Sequence, residues 1–248
     1  MYQFFVEPYQ IQDKKIVIEG QDVNHIKNVL RMKVGEEVAC IVAGEDKEYR
    51  GEIAEISEDQ IVLTLLFVKE GNVELPVKVT LFQGLPKNDK MELIIQKAVE
   101  LGVFEIVPLK TKRAVVKLDD KKEQAKVTRW NAIAEAAAKQ SKRGLIPRVT
   151  KCMTMKEALS YCGEFETKLI PYELADMDGM KETRALLESI KPGQRAAVFI
   201  GPEGGFSEEE IELAMERDIH PMTLGHRILR TETAGFVVLS WLNYLLEE

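Results

Sequence analysis

Two glycine-bearing stretches near the C-terminus hold the residue types best suited to chemistry: Ile200-Gly201-Pro202-Glu203-Gly204-Gly205-Phe206 and Leu224-Gly225-His226-Arg227-Ile228-Leu229-Arg230-Thr231-Glu232-Thr233-Ala234. In the first, glycines around Pro202 and Glu203 permit positive φ angles and let a ligand approach bare backbone. Ser207 followed by Glu208, Glu209 and Glu210 forms a capping box, so a helix begins at once. An anion at a helix N-terminus wants unopposed N–H groups, and three carboxylates there would repel it. A neutral or cationic ligand fits better. The second stretch places Arg227, Arg230, Glu232 and two threonines in a loop more polar than a connector to an apolar helix requires. Taken alone, the first stretch is better described as a plain strand-to-helix turn. The two stretches together describe one pocket.

Each stretch follows a short apolar run, at 196–200 and 221–224, with the content of a buried parallel strand, and ligands of open α/β sheets collect at such strand ends. From residue 78 onward strands and helices alternate. Strands are expected at 79–84, 104–109 and 168–171, and helices at 90–101, 121–140, 155–162, 181–190 and 234–246, which implies a parallel sheet covered on both faces. Residues 1 to about 70 read instead as short strands at 2–6, 15–19, 37–43, 48–56 and 60–68 with one helix near 22–30, a small β-barrel. Gly44-Glu45-Asp46 is expected as a hairpin turn, and 71–76 as a linker.

A chain of 248 residues with 45% hydrophobic content can bury a sizeable core. Its most apolar stretch, 236–246, falls far short of the roughly 20 residues that span a bilayer. The first residues lack the basic start and apolar core of a secretion signal. Cys40, Cys152 and Cys162 are odd in number and scattered, which indicates neither a disulfide framework nor a metal site and points to a reducing cytoplasm. The net charge of −7 conceals an asymmetry. Residues 108–151 hold thirteen Lys or Arg against four Asp or Glu, whereas 1–72 hold eight against fourteen and 152–248 nine against eighteen. A basic segment inside an acidic protein suits RNA phosphates, although lysines such as Lys121, Lys122 and Lys126 are ordinary on an exposed helix.

The pairing of Gly-Pro-Glu-Gly-Gly-Phe-Ser with Leu-Gly-x-Arg-Ile-Leu-Arg-Thr-Glu-Thr-Ala resembles the ribosomal small-subunit methyltransferase E family, within the knotted SPOUT superfamily. Residues 87–103, Gln140-Ser141-Lys142-Arg143, and 25–31 with Gly35 fit the same pattern, so the resemblance covers nearly the whole chain. It implies an α/β fold with two domains: a PUA-like RNA-binding β-barrel over residues 1–71, and a methyltransferase domain over 72–248 whose C-terminal segment forms a trefoil knot. It implies S-adenosylmethionine as cofactor, a homodimer as the active form, and methylation of uracil N3 in 16S ribosomal RNA. On this chain Ile200, Gly201, Glu203 and Gly204 would line one side of the cofactor pocket. Leu224, Gly225, Ile228, Leu229 and Thr233 would line the other, with Tyr172 and Glu173 as a third wall.

Uracil N3 carries a proton that must leave before the nitrogen attacks a methyl group, which requires an acceptor and an anion stabiliser. Arg230 is the expected stabiliser. Glu203 or Glu232 could take the proton, or either could only fix a loop through backbone amides. His226 is discounted because the family pattern does not demand histidine there. Lys27, Arg31, Lys112, Arg113, Arg129, Lys142 and Arg143 are the expected RNA contacts. Lys139 and Lys112-Arg113 depart from a family pattern that commonly shows glutamate, which weakens any catalytic role for a glutamate at those places. Two rival classes stand apart: a dinucleotide oxidoreductase, whose G-x-G-x-x-G is absent from the first βαβ unit, and a non-catalytic RNA-binding protein of ribosome assembly.

Overall fold

The computed structural model describes residues 1–42, 45, 47–71, 73–172 and 179–247, and the chain divides into two compact units. The first comprises Met1–Glu74 and Ala138–Ile146, the second Leu75–Ala137 and Pro147–Glu248. Segment 138–146, which the sequence alone leaves inside the later domain, thus clusters with the N-terminal residues. Most of the expected hairpin turn at Gly44 and Asp46, Asn72 of the expected linker, and Glu173 of the expected third wall lie outside the described residues.

In the first unit, strands β1 (Gln3–Val6), β2 (Ile11–Gln12), β3 (Lys15–Glu19), β4 (Glu37–Val42), β5 (Lys47–Ile56) and β6 (Gln60–Glu70) form one sheet in the order β1-β4-β5-β6-β3-β2. Only the β1–β4 pair is parallel. Alternation of side chains along each strand sends Phe4 and Val6, Ile16 and Ile18, Val38, Cys40 and Val42, and Ile61 and Leu63 into one core. A short helix α1 (Gln21–Asn24), continued by a wider turn over His25–Val29, closes that core with Val23 and Ile26. Segment 138–146 is fastened by Arg143, whose Nε donates to the two Glu74 carboxylate oxygens at 3.2 and 3.1 Å, and by the Leu145 amide, which donates to the same carboxylate at 3.1 Å.

The second unit is built on a parallel sheet of β7 (Lys78–Gly84), β8 (Glu105–Lys110), β9 (Arg148–Val149), β10 (Met153–Thr154), β11 (Thr167–Pro171), β12 (Arg195–Ile200) and β13 (His220–Met222). The order is β10-β8-β7-β12-β11-β13, with β9 beside β8. The two central strands, β7 and β12, are buried from their second residue onward, as strands covered on both faces must be. On one face Phe82 and Phe199 stack with centroids 4.4 Å apart beneath α4 (Met155–Tyr161) and α6 (Glu208–Met215). On the other, Gly235 of α7 (Thr231–Leu246) would place a Cβ 3.6 Å from Leu81 and 3.7 Å from Ile200, so the helix lies close on the sheet. Ala234, Val238, Leu239 and Leu242 supply its apolar stripe. Helices α2 (Lys90–Glu100), α3 (Asp120–Gln140) and α5 (Gly179–Glu188) complete the set. Among the described residues no helix is long and apolar enough to cross a membrane.

Expected and observed elements agree closely, from 15–19 in the first sheet to the alternation of the second. The short strands β2, β9 and β10 are additions, since two residues carry no periodicity to read. The last helix starts three residues before the expected Ala234, because Arg230 holds extended N-cap geometry and Thr231 already begins the helix.

Candidate active site

Parallel strands β11, β12 and β13 end side by side, at Pro171, Ile200 and Met222, and the chain leaving each end helps wall a cleft of about 800 Å³. Its lining includes Pro171 and Tyr172, residues 200–206 and residues 223–231. The two glycine stretches singled out by sequence are therefore opposite walls of one opening, at the strand ends where α/β sheets hold ligands.

The first wall is a tight loop. Gly205 N–H donates to the Pro202 carbonyl at 2.8 Å, and a Cβ on Gly201 would stand 3.0 Å from Gly205. Gly84, at the end of β7, has the same role toward a neighbour: a Cβ there would sit 2.5 Å from the Pro202 ring. The expected capping box forms, with Ser207 Oγ accepting from the Glu210 amide and Glu210 accepting from the Ser207 amide. Buried Glu210 uses its other oxygen to accept from the Lys112 amide at 2.9 Å, and Lys112 Nζ pairs with Glu209. Arg113 donates to the Gly204 carbonyl at 3.1 Å. The Lys112-Arg113 turn is thus fastened to this wall, and a side chain at Gly204 would press on Arg113, whose Cβ is 3.2 Å from the site of the missing Cβ.

The second wall turns at Gly225, whose φ of +98° suits glycine and around whose absent Cβ there is open space. Thr223 Oγ1 accepts from the Gly225 amide at 3.2 Å, and the Thr223 amide donates to Thr183 Oγ1 at 3.0 Å. The Tyr172 amide donates to the Met222 carbonyl at 3.0 Å, which joins the β11 and β13 ends. Thr231 then links the walls: its hydroxyl donates to the Gly201 carbonyl at 2.5 Å and accepts from Gln83 Nε2 at 2.9 Å. Gln83 is fully buried and Thr231 is 6% exposed, and their pairing was missed by sequence reasoning, because a polar pair 148 positions apart leaves no local signal.

Ile200, Gly201, Glu203, Gly204, Leu224, Gly225, Ile228, Leu229, Arg230 and Tyr172 all line the cleft. Thr233 and Glu232 do not; they lie within the first turn of α7, where the Thr233 amide bonds the Arg230 carbonyl. Ile228, expected on the second side of the pocket, is 83% exposed. Glu203 accepts from the Lys87 amide at 3.1 and 3.3 Å and pairs with Lys90 Nζ at 3.3 Å. Burial pushes its carboxyl upward, but the amides of Glu203 and Lys87 and the Lys90 ammonium outweigh that and hold it below the usual glutamate value. Glu232 meets the same ammonium at 3.2 Å. Arg230 is exposed, and its guanidinium has no hydrogen-bond or ion-pair partner among the described residues, its carbonyl alone accepting from the Thr233 and Ala234 amides.

The expected RNA contacts divide. Arg143 is 2% exposed and paired with Glu74, so the expectation of a surface contact there is corrected: a guanidinium held by a carboxylate inside the first unit is a fastening. Lys27 donates to the Ser57 carbonyl at 2.7 Å. Arg31 and Lys142 are exposed, each with positive φ. Arg129 is exposed and pairs with Glu92 at 2.8 Å.

The cleft fits a ligand such as an adenosyl sulfonium on three grounds: its volume is in the range of small-molecule sites, its walls present bare backbone at Gly201, Gly204 and Gly225, and Leu224 and Leu229 supply apolar lining. Residues 73–243 match the RNA methyltransferase domain model and residues 18–66 the RNA methyltransferase PUA domain model. The chain is 38% identical to ribosomal RNA small subunit methyltransferase E of Bacillus subtilis over 100% of its own length and 98% of the relative's. It is 34% identical to the protein of that name from Mesomycoplasma hyopneumoniae, across 97% and 98% of the two chains. A crystal structure of ribosomal RNA small subunit methyltransferase E from Neisseria gonorrhoeae bound to S-adenosyl methionine superposes with a TM-score of 0.78 at 29% identity, covering 99% of this chain and 98% of that one. Likeness of this extent, reaching both units and both cleft walls, places the chain in the ribosomal RNA small subunit methyltransferase E family.

Proposed function

We propose that this protein transfers a methyl group from S-adenosylmethionine to N3 of a uracil in 16S ribosomal RNA. The observation that carries the reading is a cleft whose two glycine walls are tied together by Thr231 and whose rim presents Arg230 without a carboxylate partner among the described residues. Membership of the family supports the substrate class, and the Neisseria gonorrhoeae relative crystallised with S-adenosyl methionine supports the cofactor. When bound, the cofactor supplies an electrophilic methyl on a sulfonium. Ile200, Leu224 and Leu229, with the backbone of Gly201, Gly204 and Gly225, would hold it.

The chain's own task is to present uracil as an anion in line with that methyl. Arg230 stabilises charge spreading over the uracil oxygens, and the open position of its guanidinium leaves all five donors for that purpose. Neither glutamate is placed to take the N3 proton directly. Glu203 is occupied by the Lys87 amide and the Lys90 ammonium and Glu232 lies off the cleft, so both act on loop geometry. The cations at the rim, Arg230 and Arg227, favour the deprotonated base and allow water to carry the proton away.

The first unit acts as the RNA-binding domain, with Lys27, Arg31 and Lys142, joined by Lys112, Arg113 and Arg129 of the second. Exposed ion pairs such as Arg129–Glu92 contribute only about 0–1 kcal/mol, so phosphate oxygens can replace the glutamate. The chain passes from β12 to β13 on the far side of β11 and returns to seat Thr231 beside Gly201, a path that supports a C-terminal trefoil knot. The family resemblance supports a homodimer, in which a second copy would cover Tyr244, 84% exposed. The test is incubation with small ribosomal subunits and labelled S-adenosylmethionine, followed by nucleoside mass spectrometry. The expected product is 3-methyluridine. RNA that binds and gains no methyl, or a methyl on carbon or ribose, would overturn the reading.

A further inference from the structure

Lys90 is the first residue of α2 and lines the cleft, yet nothing in its local sequence marks it apart from the other lysines of that stretch. Its ammonium lies 3.3 Å from Glu203 on the first wall and 3.2 Å from Glu232 in the first turn of α7. One carboxylate belongs to the first wall and the other to the start of α7, 29 positions apart in sequence. Without a cation between them they would repel. The Lys87 amide fixes Glu203 from the same approach to α2, so this corner of the sheet grips the first wall twice. The Glu232 carboxylate has no other side-chain partner among the described residues, and it lies two positions after Arg230. Through Glu232 the start of α7, and with it Arg230, is tied to Lys90, in addition to the tie that Thr231 makes to Gly201.

We propose that Lys90 is a positioning residue that, beside the Thr231 hydroxyl, holds the first wall and the start of α7 in one register, so that cofactor affinity and the placement of Arg230 both depend on its ammonium. This inference rests on the methyl-transfer reading. The bond to Glu232 and the bond to Glu203 share one donor group, so the Lys90 and Glu232 contributions must be non-additive, whereas two independent surface charges would add.

The test is a double-mutant cycle of Lys90→Met and Glu232→Gln, with Lys90→Arg as the conservative variant and Lys97→Met as a control on the same helix. Amide hydrogen exchange of the ligand-free protein, read on peptides covering 201–206 and 230–235, reports the clamp without reference to activity. Lys90→Met should quicken exchange in both peptides, weaken S-adenosylmethionine binding about tenfold and lower kcat by at least as much, with Lys90→Arg restoring most of each. The double variant should be no worse than Lys90→Met alone, a departure from additivity of about fivefold or more. Lys97→Met should leave every readout unchanged. Additive effects, or Lys90→Met with wild-type exchange and wild-type binding, would overturn this inference while leaving the function intact. A wild type that neither binds the cofactor nor methylates RNA would overturn both.

Discussion

Charges around the cleft differ in how far they are already committed. Glu203 is gripped by the Lys87 amide and Lys90, Arg113 by the Gly204 carbonyl, and Lys112 by Glu209, whereas the Arg230 guanidinium meets no partner among the described residues. A cation with unspent donors is what a developing uracil anion would use, so Arg230→Ala should lower kcat by about 10²–10³-fold while cofactor affinity stays within a few fold. Single-turnover methyl transfer and calorimetric titration together check it. Glu203 leads to a pH prediction. Its folded carboxyl titrates below the usual value of 4.5, so its contribution to stability is fully present above that value and is lost as pH falls through the lower, folded pKa. Wild type should therefore exceed Glu203→Gln in urea midpoint at about pH 7, and the two should converge as pH falls below the folded carboxyl's pKa.

At the scale of elements, the cleft depends on two turns and one hydroxyl. Gly225 holds φ +98°, which any side chain resists, so Gly225→Ala should destabilise the protein by about 1–3 kcal/mol in urea unfolding. The open space at its Cβ position makes backbone strain, and not a clash, the reason. Thr231→Val leaves Gln83 Nε2 and the Gly201 carbonyl each short of a partner in a buried setting. A loss of about 1–3 kcal/mol is expected, with faster amide exchange at the start of α7. A shift confined to global stability, with α7 exchange unaltered, would show that the hydroxyl does not join the walls.

For the whole molecule, charge composition is a poor guide to where the charges act. The basic excess of residues 108–151 includes Arg143, sealed against Glu74, and Lys110, paired with Glu123 at 2.7 Å. Removing one member of a buried pair leaves the other uncompensated, so Arg143→Met should cost about 3–5 kcal/mol, measured by chemical denaturation. The Glu74→Leu, Arg143→Met double variant should recover much of it. Had Arg143 been a surface phosphate contact, the single variant would weaken RNA binding and leave stability unchanged.

Sequence alone determined the elements and the location of the site. Alternation in 15–19 and 60–68, the apolar runs before Gly201 and Gly225, and the capping box at Ser207 are local patterns, and local patterns survive in one dimension. The motif pair was specific enough to identify the family before any geometry was known. Tertiary structure decided which polar groups remain available. Glu203 and Glu232 share one lysine, Arg143 is buried, Thr233 turns into α7, and Gln83 meets Thr231 across 148 positions. Each of these facts depends on distances between residues far apart in the chain, set by strand order and helix packing, and neither composition nor spacing encodes them residue by residue.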